Sequence, residues 1–483
     1  MKHNPIHKTY WGIGLENETY LQFEESLVVS GQFVREKMGR ERYSIDYLKG
    51  YKKGTLEKAL EAAFSADKNY RVSRMMNSHS LDKLDIKFEH KTIHSAPPLQ
   101  DNPKYLGKSI LELFLLSQPY PIQSMLTQKD KPMGCIIFDG DSIEFVTKYF
   151  ENRTIPEVCN ELQATKRIFL EKLNESKILK GDLAYPEYNI GINMFMSNQK
   201  NLVLFNNGTF HFHITLPTPT EDSKIIDYAT FDEAHANAIY LLQWFEPFFI
   251  ATLGSPDILS VISTKHQLEE QFAGGSMRNA MSRYTGVGTY HKSMAKGKIL
   301  TCPVEDFRKL LKFDKSENIW WRDQVEAALS YDLLSDLGLD FNREKIYQSG
   351  FEFRSFDEFP ASYLPDVLQA IVLICEHSRL VQDVTWATDD VVWNNLVFRT
   401  LKEGYRTTIS MDEKKALLHV FQLEELLDSH FAPYSQLDQF FFAVLEVLHQ
   451  RYAQENVYLD ALLGERSDSA PQWENFNKHQ TEQ

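Results

Sequence analysis

The sequence predicts an α+β protein: a mostly antiparallel sheet with one polar face, helices packed on the other, and a helical segment closing the chain. Three observations lead there. Stretches with period-two alternation recur at 12–23, 134–147, 202–216 and 350–359, with carboxylates or imidazoles on one face and apolar side chains on the other. Helical spacing fills stretches between them and dominates after Arg379. The 483 residues are 43% hydrophobic and 13% aromatic, enough for a large core, so disorder is not the default.

Taken in order, "GIGLENETYLQF" (12–23) is expected to be a strand, with Ile13, Leu15, Thr19 and Leu21 facing one way and Glu16, Glu18 and Tyr20 the other. Residues 47–64 have helical spacing, and "KFEHKTIHSAPP" (87–98) suggests a short strand ended by its prolines. "GCIIFDGDSIEFVT" (134–147) divides into two short strands around Asp139-Gly140-Asp141, with Glu144 on the second. A helix starts near Pro156, where Thr154 suits the cap.

Strands at 187–196 and 202–216 follow, the second containing "NNGTFHFHITLP". Side chains two apart on a strand point the same way, so His211 and His213 share one face and Phe210, Phe212 and Ile214 the other. "FDEAHANAIYLLQWFEPFFIATLG" (231–254) is helical with a kink expected at Pro247. A Gly-rich loop at 273–291 and an amphipathic patch at 323–337 precede the strand "GFEFRSFDEF" (350–359), which carries Glu352 and Arg354, and the helix "ASYLPDVLQAIVLICEHSRL". The expected organisation is a catalytic domain over 1–380, a helical extension over 381–470 packed on it, and a disordered polar tail over 471–483.

Charge and cysteines narrow the function. Lys plus Arg (52) against Asp plus Glu (67) gives −15, and no long basic run occurs, which disfavours nucleic-acid binding. An acidic protein that handles nucleotide phosphates needs clustered arginines or divalent cations on its own carboxylates. Cys135, Cys159, Cys302 and Cys375 are far apart and form no C-x-x-C pair, which fits a reducing compartment. No apolar leader and no stretch of membrane-spanning length is seen, so the expectation is a soluble, cytoplasmic protein with no membrane partner.

The polar faces hold Glu16 with Glu18, Glu144, His211 with His213, and Glu352 with Arg354. Carboxylates gathered on one face repel, and burying them uncompensated is costly, so a cation between them is the simplest resolution. Carboxylate oxygens with an imidazole suit Mg²⁺ or Mn²⁺, whereas zinc favours several histidines or thiolates. Arg278, Arg283 and Arg354 could clamp phosphate or a substrate carboxylate.

Each element alone has a plainer reading. Two glutamates on a strand commonly belong to a solvated sheet face, His-x-His is more often structural than ligating, and Glu-x-Arg can be a cross-strand ion pair. The Gly-rich loop matches neither phosphate-loop pattern. Their combination, all on strands and all supplying ligands of one kind, favours a site.

In order along the chain, Gly-x-Glu-x-Glu, a strand glutamate after an acidic turn, Asn-Gly-x-x-His-x-His and Glu-x-Arg resemble the glutamine synthetase fold and its relatives, the glutamate-cysteine ligases and the amidoligases. "FDGDSIEFVT" and "HANAIYLLQWFEPFFIATLGSPD" look closest to the amidoligases, and the resemblance spans roughly residues 11–380. It implies a curved sheet whose polar concave face forms the site. It also implies that Glu16, Glu144, His211 and Glu352 ligate divalent metal, with Glu18 a further ligand or a neighbour of one. His213 would lie near the ATP phosphates with Asn207 and Arg283 among the nucleotide contacts, while Arg354 and Arg278 join Glu352 in the chemistry. The sequence departs from the pattern at a second glutamate of the middle metal-binding region, at the contacts to the nucleotide base and at the flap of glutamine synthetase, for which no position matches.

The implied activity is ATP- and Mg²⁺-dependent joining of a carboxylate and an amine through an acyl phosphate, with Mn²⁺ as an alternative ion. Its partners would be small-molecule, peptide or protein carboxylates and amines, and assembly as a homo-oligomer is open. Rival readings are a guanidino-kinase-like phosphotransferase, a non-catalytic nucleotide binder of the same fold and, more remotely, a zinc hydrolase.

Overall fold

The computed structural model describes residues 11–38, 64–76, 135–148, 153–176, 182–255, 339–342 and 350–452, with short gaps within 135–148, 182–255 and 350–452, together with 61 and 462–463. The expected helices at 47–64 and 323–337, the strand at 87–98, the Gly-rich loop and the tail lie wholly or largely outside them.

In chain order the strands are β1 (Gly12–Thr19), β2 (Leu21–Phe23), β3 (Leu27–Ser30), β4 (Asn69–Met76), β5 (Ile136–Asp139), β6 (Ser142–Val146), β7 (Leu183–Ala184), β8 (Ile190–Phe195), β9 (Val203–Asn206), β10 (Gly208–Thr215), β11 (Thr220–Glu221), β12 (Lys224–Ile225), β13 (Leu339–Asn342) and β14 (Gly350–Phe353). The main helices are α1 (Gly31–Met38), α2 (Ile155–Glu175), α3 (Tyr228–Trp244), α4 (Glu246–Leu253), α5 (Leu364–Ser378), α6 (Val391–Glu403), α7 (Met411–Phe421) and α8 (Leu437–Tyr452). The chain is α+β.

One six-stranded sheet runs β13-β14-β10-β1-β6-β5, with every neighbouring pair antiparallel. A second contains β7-β2-β4-β8-β9, with β3 also paired to β4 and β4 parallel to β8. Two expected strands therefore divide. The 12–23 segment breaks at Tyr20, so that β1 and β2 belong to different sheets, and 202–216 breaks before Gly208, with β9 in the second sheet and β10 in the first. Alternation continues through the first break and so could not reveal it, whereas the second falls at the Asn-Asn-Gly stretch ahead of the histidines, a turn signal in the sequence.

The core face of the first sheet carries Ile13, Leu15, Phe145, Phe210, Phe212, Ile214, Phe351 and Phe353, all buried. Burying each large side chain is worth roughly 1.5–3 kcal/mol, so this face fixes which side of each strand is inside. α2 packs across β1 and β6. It starts as the sequence indicates: Thr154 and Glu157 form a reciprocal capping box, with proline in the first turn. α4 meets the sheet through Phe249, whose ring centroid lies 5.9 Å from that of Phe353 and 5.1 Å from that of Phe356.

The long helix expected at 231–254 starts earlier, behind an Asp227 cap, and is two helices parted at Phe245, with Pro247 in the first turn of α4. Phe245 and Phe248 stack with Phe421 and Phe441, at centroid distances of 4.8 and 5.4 Å, which joins α4 to α7 and α8. Polar bonds join α3 to α6 and to the segment before it: Trp393 Nε1 donates to Gln243 O at 2.7 Å, and Trp244 Nε1 donates to Thr385 O at 3.0 Å. Among the described residues, no helix is long and apolar enough to cross a membrane.

Candidate metal and nucleotide site

Strand register brings the candidate ligands together. Glu16 on β1 is directly opposite His211 on β10, His213 is opposite Glu352 on β14, and Glu18 is opposite Glu144 on β6. Residues opposite one another in an antiparallel ladder share a face, so carboxylates and imidazoles from four adjacent strands line the face away from the phenylalanine core. Two backbone positions make this register attainable. Gly208 and Gly350, which open β10 and β14, have φ of +150° and +141°. A Cβ on Gly208 would come within 2.2 Å of Glu18 O, and one on Gly350 within 2.1 Å of Ile214 O, so only glycine allows the strands to approach there.

His211 is the centre of the cluster and is fully buried. Its Nδ1 hydrogen-bonds with Glu16 Oε1 at 2.9 Å. It stands equally close, 2.9 Å, to Glu352 Oε1, without the alignment of a hydrogen bond. One ring proton cannot serve both carboxylates. His213 Nε2 lies 3.2 Å from the other oxygen of Glu16. Burial alone would raise the Glu16 carboxyl, but the charges and hydrogen bonds of His211 and His213 outweigh it and hold the group well below the usual carboxylate range. Glu16 is thus an anion inside the protein.

Two sets of donor atoms lie within 4.8 Å of one another: Glu16, His213 and Glu352, and Glu16, Glu18 and His211. Glu16 belongs to both. Glu18 and Glu144 are only half-buried, so the cluster opens toward β6. Glu16, Glu18, Glu144 and Glu352 offer four carboxylates against two imidazoles, and even with both imidazoles charged the set retains negative charge. A divalent cation matches that imbalance, and a carboxylate-rich donor set suits Mg²⁺ or Mn²⁺ better than zinc. Arg354, Arg278, Arg283 and Asn207 lie outside the described residues.

Three residues that the pattern reading passed over sit behind the cluster. Asn17, between Glu16 and Glu18, turns to the core face; its Nδ2 donates to Glu358 Oε2 at 2.8 Å and to Thr209 O at 2.9 Å. Lys166 of α2 donates its Nζ to Asn17 Oδ1 and lies 4.6 Å from the centroid of the Tyr185 ring. Burial pushes the Glu358 carboxyl up to about 7 against the opposing pull of Lys166 and Asn17, and burial lowers the Lys166 ammonium against the pull of Glu358. The signal was present in the sequence: an asparagine on a strand's apolar face, and a lysine within the helix stripe formed by Leu162, Thr165, Phe169 and Leu173.

No family model matches the chain. It is 33% identical over 450 residues to the uncharacterized protein R704 of Acanthamoeba polyphaga mimivirus, a match covering 92% of this chain and 75% of the viral protein. The chain belongs to the R704 family.

Proposed function

We propose that this chain is an ATP- and Mg²⁺-dependent carboxylate-amine ligase, an amidoligase with a glutamine synthetase-like catalytic sheet. The observation that carries the reading is the convergence of Glu16, His211, His213 and Glu352 from three neighbouring antiparallel strands, with the donor atoms of each candidate set within 4.8 Å. The motif order along the sequence supports the same assignment.

Glu16, Glu18, His211 and Glu352 would hold Mg²⁺, or Mn²⁺ in its place, with Glu144 at the open end and His213 toward the phosphates. The bound ion would supply charge neutralisation at the β and γ phosphates of ATP. Arg354, two residues past Glu352, together with Arg278, Arg283 and Asn207, would orient phosphate and substrate. In the first step a carboxylate oxygen of the substrate attacks the γ phosphorus and ADP leaves. An amine nitrogen then attacks the acyl carbon, phosphate departs, and the nitrogen gives up a proton to leave a neutral amide. Such chemistry needs positioning and fixed charge rather than an activated serine or cysteine. The negative charge of the chain favours a cationic amine as acceptor, and the widely spaced cysteines support work in the reducing cytoplasm.

The test is ADP release from Mg²⁺-ATP with pooled amino acids, polyamines and short peptides, with product mass followed in parallel for wild type and Glu352→Gln. The expected result is acceptor-dependent ADP with a new amide, absent in the variant. A phosphorylated guanidine without an amide would transfer the assignment to a phosphotransferase, and ATP binding without turnover in any pool would indicate a binding protein.

A further inference from the structure

Behind the carboxylate-imidazole cluster, one largely buried polar set ties together β1, β10 and the segment that follows β14. Asn17 is flanked on β1 by Glu16 and Glu18. Its amide nitrogen reaches β10 at Thr209 O, two residues before His211, and reaches Glu358, six residues beyond Glu352. Glu358 is itself fastened to β10, its backbone N–H donating to Gly208 O at 3.0 Å. Lys166 completes the set from α2 through Asn17 Oδ1, with the Tyr185 ring on one side and the Phe210 ring centroid 5.8 Å away. The Tyr185 hydroxyl donates to Lys166 O at 2.9 Å, which secures the helix turn that bears the lysine.

The surrounding face has no need of such a set for burial. Ile13 and Leu15 precede Asn17 on the same face of β1, and an apolar residue there would avoid desolvating an amide, an ammonium and a carboxylate together. Directional bonds offer what apolar packing does not: they fix how far β1 is shifted along β10 and how close the segment after β14 lies. A slip of one residue would turn Glu16 and Glu18 into the core, and smaller displacements would spread donor atoms that now lie within 4.8 Å.

We propose that Lys166, Asn17 and Glu358 are positioning residues that hold the two donor sets, Glu16 with His213 and Glu352 and Glu16 with Glu18 and His211, at metal-binding separation from the opposite face of the sheet. This inference rests on the reading of the cluster as a divalent-metal site. Outer partners bonded directly to metal ligands change affinity by roughly 10–100-fold when removed, and a set that acts through strand position is expected at the lower end of that range.

The experiment is a Mn²⁺ titration followed by electron paramagnetic resonance, on full-length wild type and on the Lys166→Met/Glu358→Gln double variant, which removes both charges and strands neither. Thermal unfolding of the metal-free proteins is measured alongside. The expected outcome is a double variant that melts close to wild type yet binds Mn²⁺ at least about 10-fold more weakly. Asn17→Leu keeps Lys166 near Glu358, suits the apolar face and is expected to weaken Mn²⁺ similarly, giving the same reading if the double variant does not fold. Folded variants that bind Mn²⁺ as wild type does, whatever their melting temperature, would overturn the positioning role alone. A wild type that binds no Mn²⁺ would overturn the metal-site reading and this inference with it.

Discussion

Glu16 is the residue on which the cluster depends, because each of its carboxylate oxygens meets a different imidazole and it belongs to both donor sets. Glu16→Gln keeps the shape and removes the charge, so Mn²⁺ affinity is expected to fall by more than the roughly 10–100-fold that loss of an outer partner costs; a calorimetric titration unchanged from wild type would contradict this. Two other histidines have a different task. His235 accepts from Leu216 N and bonds Phe231 O, and His377 joins the Tyr452 hydroxyl to Phe421 O. Burial holds each imidazole down to about 4, against the pull of its carbonyl partner. The unfolded chain takes up these protons near pH 6.5 and the folded chain only near 4, so the two contribute stability that is full above pH 6.5 and is lost as pH falls toward 4. Each shift corresponds to roughly 3 kcal/mol. Glu358, whose folded carboxyl takes up its proton near 7, acts in the opposite sense in every variant that keeps it, so the test is a difference: urea midpoints from pH 7.5 to 4.5 should fall less, relative to their value at pH 7.5, in His377→Gln than in wild type, and parallel profiles would refute the assignment.

At the scale of elements, the sharpest constraints are the glycines that open β10 and β14. Gly208→Ala would combine the Cβ contact with Glu18 O and a φ that L-residues avoid, a strain of about 1–3 kcal/mol before the clash is counted. It is expected to lower the urea midpoint markedly, whereas Thr154→Ala, which removes the side-chain cap of α2, should cost only about 1 kcal/mol. Equal effects would show that the approach at Gly208 is less tight than described. Much of this layer was legible in the sequence. The capping pattern marked the start of α2, and alternation put His211 and His213 opposite the phenylalanines. Strand partitioning was only partly legible, because alternation specifies a face and not a sheet: nothing in "LENETYLQF" says where the chain leaves one ladder for another, and the Asn-Asn-Gly of "LVLFNNGTFHFH" signals a turn without saying that the strands on either side belong to different sheets. Glu358 was hidden for a related reason, since a charged residue is assumed to face water until a partner far along the chain is seen, whereas Lys166 stood out within an apolar helix stripe.

For the whole molecule, the described residues share one apolar cluster that runs from the β1 face through α4 and α5 to α7 and α8. The ring contacts of Phe245 and Phe248 with Phe421 and Phe441 mean that a chain cut after residue 380 would expose large aromatic surfaces on α4. Such a fragment is expected to aggregate or to lose cooperative unfolding, as judged by light scattering and near-ultraviolet circular dichroism, and a monomeric fragment with a native-like melt would contradict this.

The central claim is that four strands assemble a divalent-metal site on the polar face of one sheet. Its most direct test is the number of Mn²⁺ ions bound at saturation by wild type and by Glu352→Gln, both shown to be folded. The account predicts stoichiometric, saturable binding to wild type that is lost in the variant. Equal binding by both proteins, or none by the wild type, would contradict it.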